Sequence, residues 1–540
     1  AKMRELTGSP HVLFPVGEEG GKMRSFQTAM EAGKVTADFP LYSCKKCGNR
    51  TIFQICENCG AETEKIYFCP ECGELKSPKC KHGNAAPFKT QTIEIVHYIQ
   101  KAQENLGLKV LPDLIKGVRG MSSRDKIPEH IAKGILRAKH GIYVNKDGTT
   151  RYDMTELPIT HFRPAEIGTS IEKLKELGYT HDINGNELVS PDQLVELKPQ
   201  DIILPGGRYS LDEPASDILL RVGNFVDELL EKFYGLPPYY KFKSRDDLIG
   251  QLVIGLAPHI SAGIVGRIIG FSDTQGCFAH PLMHAAHRRD CDGDENCVML
   301  LMDALLNFSR QYLPDKRGSR TMDSPLVLTS KLVPAEVDDM VQKLDVMWNY
   351  PLEFYQACSN FQMPGSVKME VLGGRIGTEL QYEKMGFTHD VADMNEGVNC
   401  SAYKTIVSME DKLKGQMELA EMIRAVDETD VARLVIEKHF IKDIKGNLRK
   451  FSIQQFRCVD CNTKYRRVPL SGVCTKCGGK LIFTISKGFV LKYLEPSISI
   501  ANKYNVPQYL KHSLELVKRR VEGIFGKDKE KQEGLGKWFG

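Results

Sequence analysis

Four carboxylates fall within six residues: between Asp290 and Glu295 the chain reads Asp-Cys-Asp-Gly-Asp-Glu, with Asp290, Asp292, Asp294 and Glu295 as the acids. Like charges crowded in this way repel unless a cation neutralises them. Residues at i, i+2 and i+4 share one face of an extended segment, and Gly293 can take the turn that brings their oxygens around a hard cation. Mg²⁺ suits such a set, because it accepts one or two carboxylates and completes its octahedron with water and substrate phosphate. His287, Arg288 and Arg289 stand just before the acids, and Lys316, Arg317, Arg320 and Lys331 come after them. An acidic cation site beside basic groups has the polarity that phosphoryl transfer on nucleic acid requires. A calcium loop of the EF-hand kind would need Gly one position and Glu seven positions after Asp294; Glu295 and Leu301 stand there instead. A solvated acidic turn is the alternative, although the adjoining CVMLLMDALLNF is apolar enough to anchor the turn to a core. No complete G-x-x-x-x-G-K-[ST] motif occurs, so a nucleoside triphosphate would not be held by that loop.

The second chemistry is thiolate. Eleven of the sixteen cysteines lie in three clusters with metal spacing. Cys44-x2-Cys47-x8-Cys56-x2-Cys59 and Cys458-x2-Cys461-x12-Cys474-x2-Cys477 are each a pair of knuckles able to close a tetrahedron around one Zn²⁺. Between them Cys69-x2-Cys72 is followed by a tighter Cys80-x-His82 half. None of the three clusters leaves an evident open position, so a structural role is expected, and thiols in this pattern point to a reducing, cytoplasmic compartment.

These groups must be positioned by several folded units. At roughly 150 residues per domain, 540 residues suggest about three or four domains. The composition, 41% hydrophobic and 26% charged, is that of a folded chain and excludes a disordered one. The net charge of +4 means that any nucleic-acid partner is held by local basic patches. His11–Pro15 (HVLFP) reads as a strand entering a sheet, and Thr92 to Gly107 as a helix with Ile93, Ile95, Val96, Ile99 and Leu106 on one stripe. From about Asn145 to Gly207 short segments alternate with turn residues, a β pattern with surface loops. The run Leu252 to Phe271 is membrane-like in hydropathy, but His259, Arg267, Pro258 and four glycines make it buried core instead. Lys412 to His439 reads as one or two amphipathic helices, with Leu413, Met417, Ala420, Val431, Leu434 and Val435 as core candidates. A basic helical stretch then runs to about Val521, ahead of a charged tail. No export signal is evident at the start, and the missing initiator Met is expected of a processed chain or the downstream part of a longer one.

The block APHISAGIVGRIIGFSDTQGCFAHPLMHAAHRRDCDGDENCVMLLMDALLNFSRQYLPDKRGSRTMDSPLVLT, Ala257 to Thr329, resembles the catalytic segment of the large subunit of the archaeal family D DNA polymerase. HVLFPVG at His11 and the placing of the zinc clusters resemble that subunit too, so the likeness covers essentially the whole chain and corresponds to the C-terminal part of the subunit. The resemblance implies an α+β multidomain fold: a double-psi β-barrel catalytic core, one of a pair, with zinc ribbons and helical insertions. It implies a first barrel segment at 1–40, zinc-binding modules at 41–92 and a mixed α/β accessory region at 93–245. The catalytic barrel segment would be 246–333 and a helical region 334–450. The C-terminal zinc ribbon would follow at 451–490, a basic helical region at 491–526 and the tail at 527–540. Asp292 and Asp294 would be the Mg²⁺-binding catalytic carboxylates, joined by Asp290, where the family usually has Asn. Arg288, Arg289, Lys316 and Arg317 would screen phosphates of DNA, and Lys2 and Arg4 are the matches to the family's basic residues of the first barrel.

The resemblance further implies a primer-template and dNTP as substrates, a small exonuclease subunit docked on the Cys458 ribbon, and an upstream part of the large subunit. In the tail, Gln532-x2-Leu535-x2-Trp538-Phe539 resembles the sliding-clamp peptide of replication proteins: an exposed aromatic pair in a charged tail has no core to join. Two other readings compete. The acidic loop alone would fit a large RNA polymerase subunit, and the knuckles alone would fit a zinc-stapled nucleic-acid-binding scaffold.

Overall fold

In the computed structural model the run Leu252 to Phe271 contributes two strands of a closed barrel. Its strands are β1 (Tyr152–Pro158), β2 (Asp201–Pro205), β3 (Leu252–Leu256), β4 (Ala262–Ser272), β5 (Gly276–Ala279) and β6 (Glu295–Leu300). They follow the order β1-β5-β2-β4-β3-β6, and β6 pairs back with β1. The β1–β5 and β2–β4 pairs are parallel and the other four antiparallel. Closure leaves no open edge among the six. Tyr152, Met154, Ile202, Leu204, Val253, Ile264, Val298 and Leu300 fill one contiguous core. The structure describes residues 1–21, 23–258, 262–314, 327–397, 399–400 and 405–526.

The barrel is wider in sequence than expected. Strands β1 and β2 come from the stretch read as an accessory region, because each pairs with a strand tens to more than a hundred residues away, which no local spacing reveals. From residues 1–40 the barrel sheet takes only Lys2–Met3, added antiparallel to β1. The HVLFP segment does not form the expected strand. It bends at His11–Leu13 beside residues 116–118, with one isolated bridge from Pro15 to Val118 and hydrogen bonds from the amides of His11 and Val16. What holds it is a buried ion pair. Arg137 donates to both oxygens of Glu129 at 2.8 and 2.9 Å and to the carbonyls of His11 and Gly148, while Glu129 accepts from the Leu13 amide at 3.0 Å. Arg137 and Glu129 side chains are both fully buried.

The expected helix at Thr92 begins later. Phe88–Glu94 is a strand, and helix α1 is Ile95–Asn105, with Gly107 in the left-handed region just beyond its end. Ile93 thus reaches the core from the strand, while Ile95 and Ile99 reach it from the helix. Phe88–Glu94 pairs with Lys34–Cys44, the central strand of a five-stranded antiparallel sheet that carries the first two cysteine clusters. Between 334 and 400 the expected helices are mostly short 3-10 turns, with one α-helix, Leu352–Ser359, among the described residues. Pro351, Pro364 and the Gly373-Gly374 pair interrupt longer helices there.

Residues 1–400 form one unit and 401–540 a second. In the second, helices Met409–Met422, Glu428–Leu434, Ile441–Ile453, Leu494–Lys503 and Gln508–Phe525 accompany a three-stranded sheet beside the third cysteine cluster. Leu413, Met417 and Ala420 are buried as expected, but Leu434 is 39% exposed, and Ala432, Ile436 and Phe440 face the core instead. Val435–Phe440 is a π turn, whose wider coil keeps every fourth residue on one face. No helix among the described residues is long and apolar enough to cross a membrane.

Removing one partner of the Arg137–Glu129 pair strands a buried charge. Arg137→Met is therefore expected to lower the stability of the first unit by about 3–5 kcal/mol, measured as the shift of its urea unfolding transition. A loss below about 1 kcal/mol would contradict this role.

Candidate functional site

The acidic loop joins a short helix to a barrel strand. Helix α2 (Pro281–Ala286) is capped by His280, whose Nδ1 accepts from the Leu282 amide at 3.1 Å. Between the helix and β6 the backbone turns three times through the left-handed region, at Arg288 (φ 58°), Cys291 (φ 61°) and Gly293 (φ 94°). Gly293 does so freely, while Arg288 and Cys291 do it against the preference of residues bearing a Cβ. The loop is fastened where β6 meets β1. Glu295 pairs with Thr155, and the Glu156 amide donates to the Asp294 carbonyl at 3.0 Å.

That fastening sets a third acid beside the loop. One carboxylate oxygen each from Glu156, Asp292 and Asp294 lies within 4.8 Å of the others. Glu156 is fully buried and Asp292 is exposed. Asp290, also exposed, is not in this group. Burial, then the nearby Asp294 carboxylate, pushes Glu156 up to about 7. Behind it stands His284, whose Nε2–H donates to the Leu157 carbonyl at 3.2 Å and whose Nδ1 lies 3.2 Å from Glu156 Oε2. Burial pulls His284 down to about 4, so this contact joins a neutral imidazole to the carboxyl and is not an ion pair. His287 is likewise buried and held at about 3, chiefly by burial; its ring fills the space over Gly255, where a methyl group would not fit. Arg289 is part-buried and reaches Asp294 at 3.3 Å, and Arg288 is exposed. Lys316, Arg317 and Arg320 lie outside the described residues. Arg4 is engaged with Asp153 on β1 at 3.1 Å, and Lys2 is exposed.

Three convergent carboxylates, all hard oxygen donors, fit a Mg²⁺-class cation, with water and phosphate oxygens left to complete the shell. Glu156 was not singled out by its sequence surroundings, yet a signal exists. In Tyr-Asp-Met-Thr-Glu, Glu156 falls in phase with Tyr152 and Met154, so a period-two strand turns a carboxylate toward the same side as two core residues.

The cysteine clusters are assembled as their spacing requires, and each of the three groups could hold a metal ion with its donor atoms within 4.8 Å of one another. In the first, the sulfurs of Cys44 and Cys59 are 3.4 Å apart and those of Cys47 and Cys56 3.6 Å. Gly48 and Gly60 take the left-handed turns that let their amides donate back to the Cys44 and Cys56 carbonyls at 3.1 and 2.9 Å. The amides of Cys47 and Lys46 point at Cys44 Sγ and help pull that thiol down to about 6. In the second, the tight Cys80-x-His82 half is accommodated by a small hairpin, Lys79–Cys80 against Gly83–Asn84. His82 Nδ1 sits 3.1 Å from Cys72 Sγ, and its Nε2 is 2.8 Å from the Glu71 carboxylate, which leaves Nδ1 as the donor to a metal. In the third, Cys458–Cys477 and Cys461–Cys474 sulfurs are 3.5 and 3.4 Å apart, with Asn462 (φ 59°) turning the first knuckle and Gly478 the second.

Fold and site together define a class: a closed mixed β-barrel bearing three convergent carboxylates that could hold a cation, in a chain with three cysteine clusters of metal-binding spacing. Residues 108–412 match the family described as DNA polymerase II large subunit DP2, catalytic domain, and residues 1–77 match the central domain of the same subunit. Three curated relatives, each named DNA polymerase II large subunit, agree. That of Archaeoglobus fulgidus is 49% identical over 99% of this chain and 47% of its own length. That of Nanoarchaeum equitans is 48% identical over 98% and 46%, and that of Pyrococcus furiosus 49% identical over 97% and 42%. The chain belongs to the DNA polymerase II large subunit family, and it spans about half the length of these relatives.

With all three thiolate sets assembled, elemental analysis of protein purified without chelator is expected to give three zinc ions per chain. Cys80→Ser should lower the content by one; an unchanged content in that variant would exclude zinc from the Cys69–His82 cluster.

Proposed function

We propose that this chain is the catalytic part of a template-directed DNA polymerase of family D, joining a dNTP to a primer 3′-hydroxyl. The observation that carries the reading is the carboxylate cluster at the β1–β6 junction, in a chain whose relatives bear that name. Asp292 and Asp294 would hold two Mg²⁺ ions. Bound there, the metals would lower the pKa of the primer hydroxyl and neutralise the charge that gathers on the leaving pyrophosphate.

The rest falls to the chain itself. Asp292, exposed on the loop, can meet a substrate phosphate shell, while Asp294 is steadied by Arg289. Arg288, and Lys316 and Arg317 outside the described residues, supply positive charge for the phosphates of DNA. Asp290 stands apart from the cluster and belongs to its electrostatic surroundings, so Asp290→Asn should matter less than loss of either partner. The barrel fits the double-psi type in its mix of parallel and antiparallel pairs and in the side-by-side placing of strands remote in sequence. The working assembly includes the upstream part of the large subunit and a small exonuclease subunit seated on the Cys458 ribbon, acting in the cytoplasm at the nucleoid. The tail segment Gln532, Leu535, Trp538 and Phe539, outside the described residues, is proposed to engage the sliding clamp.

Asp292→Asn and Asp294→Asn each remove a negative ligand without changing side-chain size. Either is expected to cost at least about 3 kcal/mol at the transition state, roughly a hundredfold or more in rate, measured as primer extension by the assembled polymerase at saturating Mg²⁺. Near-normal extension by either variant would overturn the catalytic assignment. Incorporation of ribonucleotides in preference to deoxynucleotides would favour RNA synthesis, and no synthesis by the wild type a scaffold role. Replacing Trp538 and Phe539 together by Ala should weaken clamp binding by at least ~2 kcal/mol in calorimetry and spare extension without clamp; unchanged binding would refute the tail assignment.

A further inference from the structure

We infer that Glu156, on a strand remote in sequence from the acidic loop, is the third carboxylate of the cation site, in the place that the loop's own Asp290 would be expected to take. The inference rests on the reading of Asp292 and Asp294 as cation ligands and goes beyond it, since Glu156 lies outside the acidic motif.

The geometry has three parts. First, Glu156 is brought to the loop by backbone pairing and not by chance proximity: its own amide is bonded to the Asp294 carbonyl, so the two residues are locked side by side across the β1–β6 seam. Secondly, its carboxylate points into the cluster, with an oxygen within 4.8 Å of those of Asp292 and Asp294, while Asp290 is outside the group. Thirdly, Glu156 has no surface of its own. It is fully buried, and neither oxygen has a well-aligned hydrogen-bond donor among the described residues. Buried carboxylates are ordinarily paired or hydrogen-bonded, because an unsatisfied one forfeits its hydration with nothing in exchange. The nearest polar side chain, His284, has already committed its Nε2–H to the Leu157 carbonyl at 3.2 Å and makes no hydrogen bond to either oxygen of Glu156. Arg289 acts on Glu156 only through its field: its hydrogen bond, at 3.3 Å, goes to Asp294. A divalent cation bound between the three acids would supply Glu156 with the partner that no hydrogen bond gives it.

This arrangement gives the site one rigid and two adaptable ligands. Glu156 sits on a barrel strand, buried on all sides, whereas Asp292 and Asp294 lie on or at the end of a loop that turns repeatedly through the left-handed region. Glu156 would fix where the cation sits, and the loop would adjust to the substrate.

The test is Mn²⁺ binding to the full 540-residue chain with its zinc sites filled, read as free Mn²⁺ by electron paramagnetic resonance, beside the Mn²⁺-induced rise in melting temperature. Glu156→Gln and Asp292→Asn are each expected to weaken Mn²⁺ binding about tenfold or more and to remove most of the thermal shift, while Asp290→Asn stays within about threefold of wild type. Glu156→Gln should melt no lower than wild type in the metal-free state, because it relieves like-charge crowding, a result that a purely structural role for the carboxylate would not give. Wild-type Mn²⁺ affinity in Glu156→Gln with loss in Asp292→Asn would overturn the inference and leave the loop site standing. Wild-type affinity in Asp292→Asn would overturn the reading of the loop itself. Glu156→Asp, which keeps the charge but draws the carboxylate back by one methylene, is expected to weaken binding as well; unchanged binding there would also count against ligation by Glu156.

Discussion

The pairing of β1 with β6 is the constraint on which the site depends. It closes the barrel and, at its last rung, sets the Glu156 amide on the Asp294 carbonyl. Without that closure β1 would be a strand edge, Glu156 would point into solvent, and the acidic loop would be a solvated turn. A slip of one residue in this register would turn Glu156 to the opposite face of the strand. The core residues of the two strands, Tyr152, Met154 and Val298 among them, make such a slip expensive, so the same apolar burial that stabilises the barrel also fixes the carboxylate geometry.

The electrostatics around this seam are one-sided. The imidazoles of His280, His284 and His287 are all buried and held in the neutral form by that burial, so they pack behind the loop as polar but uncharged bodies. Among the described residues, Arg288 and Arg289 carry the permanent positive charge of the loop itself, and Arg289 donates to Asp294. Three carboxylates thus face two arginines among the described residues. The crowding of acids is relieved in part by a proton on Glu156, whose carboxyl is pushed up to about 7, and a divalent ion bound among the three would relieve the rest.

Much of this was legible in the chain. The cysteine spacing names its ligand sets outright, because a tetrahedral thiolate site demands two closely spaced pairs, and Gly48, Gly60 and Gly478 mark the turns that bend each knuckle. The acidic loop is equally plain, since four carboxylates in six residues have few structural uses. What local pattern could not convey is long-range pairing. Glu156 sits in an ordinary-looking strand, and only the partnership of residues 152–158 with 295–300 gives it meaning. The same limit explains why β1 and β2 read as accessory structure, and why His11–Pro15 reads as a strand although a buried Arg137–Glu129 pair, more than a hundred residues downstream, is what holds its bent backbone in place. In the second unit the helical period holds for Leu413 and Met417 but not for Leu434, the last α-helical residue before a π turn begins at Val435.

The most direct measurement of the central claim is the position of the bound metal. Crystals of the chain soaked in Mn²⁺ and measured at the manganese absorption edge should show an anomalous peak at the β1–β6 seam, with oxygens of Glu156, Asp292 and Asp294 at coordination distance, about 2.1–2.2 Å. A peak held by Asp290 and Asp292 with Glu156 turned away, or no peak at this seam at saturating Mn²⁺, would contradict it.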